Sequence, residues 1–148
     1  MPRKIQKICY NCEKEYISNS EDGKYCSRKC HKEYEQKQWE LKWLSGEISG
    51  STNSLWRIES GHIKTYLLKK YDSKCSQCGW GEVNQYTNKI PLEIEHIDGN
   101  PYNNRPENVT LLCPNCHSLT KTYRGANKGH GRGKTWIPKV IKNTEEVI

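Results

Sequence analysis

The sequence predicts a small α+β protein whose fold depends on bound metal more than on a large apolar core. Only 33% of the 148 residues are hydrophobic and none is Phe, whereas globular domains usually reach roughly 45–50%. Eight cysteines form two groups of four, and the pattern strand, loop, strand, helix lies across the second group. A core this small needs cross-links or metal to fold, and the cysteines are placed to provide them.

The charge and the hydropathy pattern narrow the class of protein. Lys and Arg number 24 against 17 Asp and Glu, a net charge of +7, which favours nucleic acid as partner over an anionic membrane surface. No stretch approaches the roughly 20 apolar residues of a membrane span, and residues 1–9 lack the apolar stretch of a secretory signal. We therefore expect a soluble cytoplasmic protein without a membrane partner, where paired cysteines more often hold metal than form disulfides.

Four segments are predicted along the chain. Residues 1–44 contain the first cysteine group and end in a helix over 31–44, a stretch that lacks Gly and Pro. Residues 45–54 are rich in Gly and Ser and form a linker. The second cysteine group lies within residues 55–124, and residues 125–148 form a basic C-terminal arm.

Within residues 55–124, the periodicity of apolar residues predicts two helices and two strands. Apolar residues recur every three or four positions over 57–71, as on one face of a helix. A strand with one buried face is indicated next by Ile90, Leu92, Ile94 and Ile97. A turn signal and a polar loop over 98–108 lead to a second strand over 109–112, and a last helix is predicted within 114–123.

The second cysteine group has the spacing of a zinc site. Two C-x2-C pairs are separated by 34 residues and consist of Cys75, Cys78, Cys113 and Cys116. Each pair aims two thiolates at one point, and two pairs complete a tetrahedron around Zn²⁺. An iron–sulfur cluster and unpaired thiols are the alternatives. A closed four-thiolate site has no open position for substrate, so this zinc is expected to be structural.

The first cysteine group predicts another structural zinc. A C-x2-C pair and a C-x3-C pair are separated by 13 residues and consist of Cys9, Cys12, Cys26 and Cys30. His31 is an alternative to Cys30 as the fourth ligand. This module either stabilises a region with almost no core or neutralises DNA phosphates through the Lys and Arg residues around it. The two roles are compatible.

The residues beside the second group carry a more specific signal. The run LEIEHIDGNPYNNRPENVTLLCPNCHSLTKTY resembles the HNH endonucleases, whose ββα-metal module carries a His, an Asn and a His in that order. The resemblance covers roughly residues 60–128 and includes a His after an acidic residue, a loop ending in Glu-Asn, and a CPNCH knuckle. It implies a zinc-stabilised nuclease domain like those of phage-borne and homing-type members. The YCSRKC string of the first group bears a weaker resemblance to fingers appended to some of these nucleases.

The resemblance also implies roles for individual residues. His96 would be the general base that takes a proton from the attacking water, a task that suits a neutral imidazole. Glu95 and His117 would hold one divalent cation, Mg²⁺ or Mn²⁺, against the scissile phosphate. Asn108 would not touch the substrate, because its amide would bridge the loop backbone and keep His96 aimed.

Two further positions near this site have alternative interpretations. Some HNH enzymes carry another His four residues after the position of His117, where this chain has Lys121. The cation would then have two protein ligands, an arrangement that suits Mg²⁺ or Mn²⁺ better than catalytic zinc. Lys121 is either a phosphate contact or a solvated surface lysine. Asp98 is expected to cap the turn at 98–100 rather than bind the metal.

The C-terminal part of the sequence is basic. Between residues 109 and 144 there is no Asp or Glu, while Lys and Arg supply seven positive charges. Such a run is either a disordered basic tail or, because Gly and aromatic residues are interleaved, an arm that follows a DNA groove. The residues expected to contact nucleic acid are Lys121, Arg124, Lys128, Arg132 and Lys134.

Together these features predict a metal-dependent HNH endonuclease that acts on double-stranded DNA, as a monomer or a homodimer, in a bacterial or phage-infected cell. Nicking and double-strand cleavage are both compatible with the sequence, as are roles in homing, phage genome processing and restriction. The alternative is a non-catalytic zinc-finger DNA-binding protein on an HNH scaffold, against which the four residues Glu95, His96, Asn108 and His117 argue. An RNA-directed nuclease is less favoured, because the stacking platforms of the usual RNA-binding modules are not visible.

Overall fold

The computed structural model describes residues 4–51 and 61–126. By its contacts the chain divides into two compact units, residues 1–45 and 46–148. The predicted basic arm beyond residue 126 and the predicted helix start at 57–60 lie outside the described residues. Within the described ranges, none of the helices is long and apolar enough to cross a bilayer.

The first unit is a β-hairpin followed by one long helix. β1 (Ile5–Ile8) pairs antiparallel with β2 (Glu15–Ser18), and the turn between them carries the first cysteine pair. α1 (Arg28–Leu44) contains the predicted helix and begins at Arg28 rather than at residue 31. The reason is a cap, since the Ser27 hydroxyl accepts a hydrogen bond from the Cys30 N–H at 3.2 Å.

The second unit has the predicted element order. α2 (Gly61–Lys70) packs on β4 (Val109–Leu112), which pairs antiparallel with β3 (Glu93–His96). α3 (Pro114–Ser118) follows β4, and a 3₁₀ turn (Arg124–Ala126) ends the described part of the chain. The core of this unit is built from fully buried apolar side chains of α2, of β4 and of the residue before β3, namely Ile63, Leu67, Leu111 and Leu92.

The prediction that Ile97 lies on the buried strand face is wrong. Its side chain is 49% exposed, because β3 ends one residue earlier at His96. The carbonyl of His96 accepts a hydrogen bond from the Gly99 N–H at 2.8 Å. This bond turns the chain directly after the strand. Ile97 is also an odd number of positions from Leu92 and Ile94, so a longer strand would still place it on the opposite face.

The last helix lies within the predicted range 114–123 and occupies its first five residues. α3 ends at Ser118 because its final bonds are of the tighter 3₁₀ type. The N–H of Thr120 bonds the carbonyl of His117 at 3.1 Å, and the Thr120 hydroxyl bonds the same oxygen at 3.0 Å. A hydroxyl side chain that bonds the local backbone in this way competes with continuation of the helix.

Candidate metal centres and active site

The second cysteine group lies where the strand pair meets α3. Cys113 is the N-cap of α3, where its sulfur accepts a hydrogen bond from the Cys116 N–H at 3.4 Å. Cys75 and Cys78 lie between α2 and β3, and the N–H of Ser76 donates to a carbonyl of β4 at 2.9 Å. All four sulfur atoms lie within 4.8 Å of one another. The group therefore fixes where α3 begins relative to the strands.

The first cysteine group converges in the same way. The four sulfur atoms of Cys9, Cys12, Cys26 and Cys30 lie within 4.8 Å of one another. His31, the alternative fourth ligand, is engaged elsewhere. Its ring stacks on Tyr25 with 4.6 Å between centroids, and its Nε2 lies 3.3 Å from a carboxylate oxygen of Glu35. The geometry thus favours Cys30 over His31.

The thiols within each group differ in their pKa values. Burial opposes ionisation of Cys9 and Cys75, but backbone N–H groups from both cysteine pairs of each group outweigh it and lower both pKa values to about 6. The pKa of Cys26 rises to about 12 because its proton is shared with the Cys30 sulfur, 3.5 Å away. Contact with a neighbouring sulfur likewise raises the pKa of Cys116 to about 12. Four converging thiolates need a positive ion between them, and both groups can hold zinc.

Glu95 and His117 meet beside the second cysteine group. Glu95 lies in β3 and is only 7% exposed, while His117 follows Cys116 in α3. Nε2 of His117 is 2.9 Å from Oε2 of Glu95. The other carboxylate oxygen of Glu95 accepts a hydrogen bond from the Thr122 hydroxyl. The imidazole and the carboxylate therefore contact each other directly, and the Thr122 hydroxyl holds the second oxygen of Glu95.

The second nitrogen of His117 is held by a residue that the sequence analysis did not identify. Nδ1 of His117 contacts Oε2 of Glu93, and the ring of Tyr123 stands edge-on to the imidazole at 5.2 Å. Glu93 and Glu95 are two residues apart on a strand, which places both side chains on one face. This period of two is the signal in the sequence that identifies Glu93.

His96 is the last residue of β3 and follows Glu95 directly. Its ring is half-buried, and Nε2 lies 2.8 Å from Oδ1 of Asn104 in the loop between the strands. The structure therefore places Glu95 and His117 in direct contact, and His96 follows Glu95 at the end of β3. It also gives His96 a side-chain partner that sequence reasoning missed.

Asn108 and Asp98 close the loop between the two strands. The amide of Asn108 donates to the Asn103 carbonyl at 2.7 Å and to the Asp98 carboxylate at 2.8 Å, and its oxygen accepts from the Asp98 N–H at 3.1 Å. Asp98 accepts from the Asn100 N–H at 2.8 Å, which confirms that it caps the turn. Partial burial opposes ionisation, but the Asn103 amide, which donates to the Asp98 carboxylate at 2.7 Å, and the donors of Asn100 and Asn108 hold the pKa of Asp98 below its usual value.

Two of the five residues predicted to contact nucleic acid, Lys121 and Arg124, are among the described residues. Lys121 lines a cleft of about 320 Å³ beside Glu95, where the other walls include hydroxyl side chains of Ser76, Thr110, Thr120 and Thr122. The exposed Arg124 lies over the ring of Tyr123, 5.1 Å from its centroid. Lys128, Arg132 and Lys134 lie outside the described residues.

Two curated proteins resemble part of this chain. A protein of Escherichia phage T5 named H-N-H endonuclease F-TflIV is 51% identical over 81 residues, which cover 53% of this chain and 34% of the phage protein. The Zorya protein ZorE of Escherichia coli is 31% identical over 78 residues, 53% of this chain and 20% of that protein. The chain thus spans about a third and about a fifth of the lengths of these relatives. No protein-family model and no solved structure matches it.

The similarity to the phage protein agrees with the fold and with the cysteine geometry. The second unit places a strand pair and a short helix around one four-cysteine group, in the order that the sequence resemblance implied. The comparison therefore confirms the resemblance of this small α+β protein to the HNH endonuclease family.

Proposed function

We propose that this chain is a metal-dependent HNH endonuclease that hydrolyses phosphodiester bonds in double-stranded DNA. The observation that carries the proposal is the 2.9 Å approach of His117 Nε2 to Glu95 Oε2, one residue along β3 from His96. A nuclease of this kind needs a metal-binding pair and a base within reach of one phosphate. The similarity to a phage protein named as an endonuclease supports the same conclusion.

Glu95 and His117 have the donor atoms that one divalent cation requires. Among the described residues, groups of three or more metal-binding side chains are limited to the two cysteine groups, so this pair leaves most of a cation's shell to water and phosphate. That arrangement suits Mg²⁺ or Mn²⁺. When bound, the cation supplies charge stabilisation to the phosphate and to the leaving 3′ oxygen.

The surrounding residues orient the two ligands. The Thr122 hydroxyl holds one oxygen of Glu95, which leaves the other oxygen facing His117. Glu93 holds Nδ1 of His117, which leaves Nε2 facing Glu95. A carboxylate behind a metal-binding histidine fixes the ring and makes the free nitrogen a better ligand. Ligands held in this way lose little freedom when the cation and the phosphate bind.

His96 would take a proton from the water that attacks the phosphate. A neutral imidazole is suited to this task near neutral pH. Asn108 would act through the loop. Its side chain bonds both Asp98 and the Asn103 carbonyl, and so fixes the backbone that follows His96. In this proposal Asn108 touches neither the water nor the DNA.

The two zinc ions would be structural. Each group of four sulfur atoms is closed, with no position left for a substrate. In the second unit, zinc would keep α3 and its His117 against β3 and its Glu95. In the first unit, zinc would stabilise the hairpin and α1, and the basic residues around the cysteines would add phosphate contacts.

DNA binding would use the basic residues that follow α3. Lys121 lies in the cleft beside Glu95, and Arg124 is exposed. The basic arm beyond the described residues, with Lys128, Arg132 and Lys134, would extend this contact along the duplex. A phage-borne or homing role fits the phage T5 relative, and one active site per chain would nick unless two chains act together.

A cleavage time course on supercoiled plasmid tests the proposed function. Zinc-loaded protein is incubated at low salt with and without added Mg²⁺ or Mn²⁺, beside His96→Ala with equal zinc content. Metal-dependent nicking or linearisation by the wild type alone supports the proposal. Intact plasmid together with shifted DNA bands would replace it with the non-catalytic DNA-binding alternative. Cleavage of RNA in preference to DNA would change the substrate class.

A further inference from the structure

Asn104 is a buried polar residue to which the proposed function so far assigns no role. Its side chain is 1% exposed, although it belongs to a polar surface loop. Its Oδ1 lies 2.8 Å from His96 Nε2, and its Nδ2 donates to the Ser51 hydroxyl at 3.0 Å. Burial of an amide is costly unless both of its ends are bonded. The structure satisfies both ends, and one of them is bonded to His96.

The contact defines which nitrogen of His96 carries a hydrogen. An amide oxygen can only accept a hydrogen bond, so a neutral His96 that contacts it must carry its hydrogen on Nε2. A neutral imidazole has one N–H group. Nδ1 then keeps its lone pair and is the atom that can accept a proton.

We propose that Asn104 is a positioning residue that holds His96 in the Nε2–H form and leaves Nδ1 as the catalytic base. The catalytic part of this inference rests on the proposed endonuclease function. During the reaction a water proton moves to Nδ1, the water oxygen bonds to phosphorus and the bond from phosphorus to the 3′ oxygen breaks. The leaving 3′ oxygen then takes a proton from solvent. Asn104 itself touches neither water nor DNA.

Asn104 and Asn108 divide the support of the site between them. The side chain of Asn108 bonds Asp98 and the Asn103 carbonyl, and so holds the loop. Asn104 bonds the imidazole itself. Loss of Asn108 should therefore disturb the loop as a whole, whereas loss of Asn104 should free one ring while the loop stays closed.

Side-chain ¹⁵N NMR of the zinc-loaded protein tests the hydrogen position without DNA or added Mg²⁺. Long-range ¹H–¹⁵N spectra are recorded at a pH where the ring is neutral, and His96 is assigned from the signal that His96→Gln removes. The wild type should show a protonated Nε2 and an unprotonated Nδ1. Asn104→Ala should give a mixture of the two forms, and Asn104→Asp, which keeps an acceptor oxygen, should restore the Nε2–H form.

Kinetics on the same variants test the consequence. Asn104→Ala should lower kcat about 10- to 100-fold, as is usual for the loss of a residue that orients a catalytic group, with KM changed less than about twofold because no DNA contact is lost. Asn104→Asp should recover most of kcat. Asn115→Ala, at an exposed position of α3, is the matched control and should leave both constants unchanged.

The possible outcomes separate this inference from the proposed function. Wild-type protein that cleaves DNA but carries the hydrogen on Nδ1 would overturn the role of Asn104 and leave the nuclease intact. An unchanged spectrum and unchanged kcat in Asn104→Ala would do the same. Wild-type protein with the Nε2–H form that cuts no DNA would overturn the proposed function. If Asn104→Ala loses zinc or unfolds, the wild-type spectrum and the Asn104→Asp variant still test whether Asn104 holds His96 in the Nε2–H form.

Discussion

Nε2 of His117 lies 2.9 Å from Oε2 of Glu95, although one side chain belongs to α3 and the other to β3. The element that carries His117 is only five residues long, too short to be stable by itself. Its first turn contains Cys116, and Cys113 caps it. The position of His117 therefore depends on the same cysteines that would hold zinc, and structural metal and catalytic site are linked through this helix.

Loss of one zinc ligand should therefore unfold the second unit. Cys113→Ser would remove a zinc ligand but keep a side chain that can cap α3, because Ser is a preferred N-cap residue. Zinc affinity and folding free energy are coupled in so small a core, where structural zinc typically contributes about 10 kcal/mol or more. We expect loss of bound zinc, loss of the cooperative thermal transition and loss of cleavage.

Zinc content and circular dichroism measure this effect. Ser118→Ala, at the exposed end of α3, is the control and should keep both zinc ions. A Cys113→Ser protein that stays folded and cuts DNA would show that the second cysteine group does not hold a structural metal.

Acid should release zinc from both groups. Backbone N–H donors overcome the opposing effect of burial and lower the pKa of Cys9 and Cys75 from 9.0 to about 6. A thiol whose pKa is lowered in the folded state stabilises the fold fully above about pH 9, the ordinary pKa of a cysteine. This stabilisation is lost as the pH falls through about 6. Bound zinc opposes protonation further, so release is expected only below about pH 6. A chromogenic chelator would follow it, and release already at neutral pH would contradict the prediction.

Glu93→Gln should weaken the catalytic metal site without unfolding the protein. The change removes the charge behind His117 Nδ1, while Glu95 and the cysteines stay in place. Loss of a carboxylate that supports a histidine ligand usually costs about 10- to 100-fold in metal affinity or activity. We therefore expect the Mg²⁺ concentration for half-maximal cleavage to rise by about that factor.

Glu82→Gln is the matched control, because Glu82 is also exposed and lies in the same unit. Its Mg²⁺ dependence should equal that of the wild type. If Glu93→Gln and Glu82→Gln behave alike, Glu93 has no part in the site.

Lys121→Ala should reduce the salt dependence of DNA binding. Lys121 is exposed in the cleft beside Glu95, and each phosphate contact contributes about one unit to the slope of log affinity against log salt concentration. We expect weaker binding for all sequences and a slope lower by about 0.9. Lys64→Ala, at an exposed position of α2, serves as the control. Equal slopes for the two variants would identify Lys121 as a solvated surface lysine.

Much of the fold could be predicted because its signals are local. The cysteine spacings anticipate two groups of converging sulfur atoms, and β4 occupies the predicted residues 109–112. The apolar spacing over residues 57–71 predicts a helix with one buried face, and Ile63 and Leu67 of α2 are both fully buried. These features depend on chain geometry over a few residues, which the sequence shows directly.

The contacts that complete the candidate site depend on tertiary structure. The loop contains several asparagines, and no local pattern distinguishes Asn104, which contacts His96, from Asn103, which bonds Asp98. Thr122 bonds Glu95 from the segment that follows α3, after the helix has ended at Ser118. Glu95 itself is buried in β3, although alternation with Leu92 and Ile94 assigns it to the opposite, polar face of the strand. Polar burial of this kind reflects the chemistry of the site rather than strand patterning.

The most direct test of this account is Mn²⁺ binding at Glu95, measured by electron paramagnetic resonance. His96→Ala protein, zinc-loaded and bound to duplex DNA, keeps the proposed ligands and the phosphate but should not cut. We predict that it binds one more Mn²⁺ per chain than the double variant Glu95→Ala, His96→Ala, with equal zinc content in both. Equal Mn²⁺ binding by the two proteins would contradict a cation site built on Glu95 and His117.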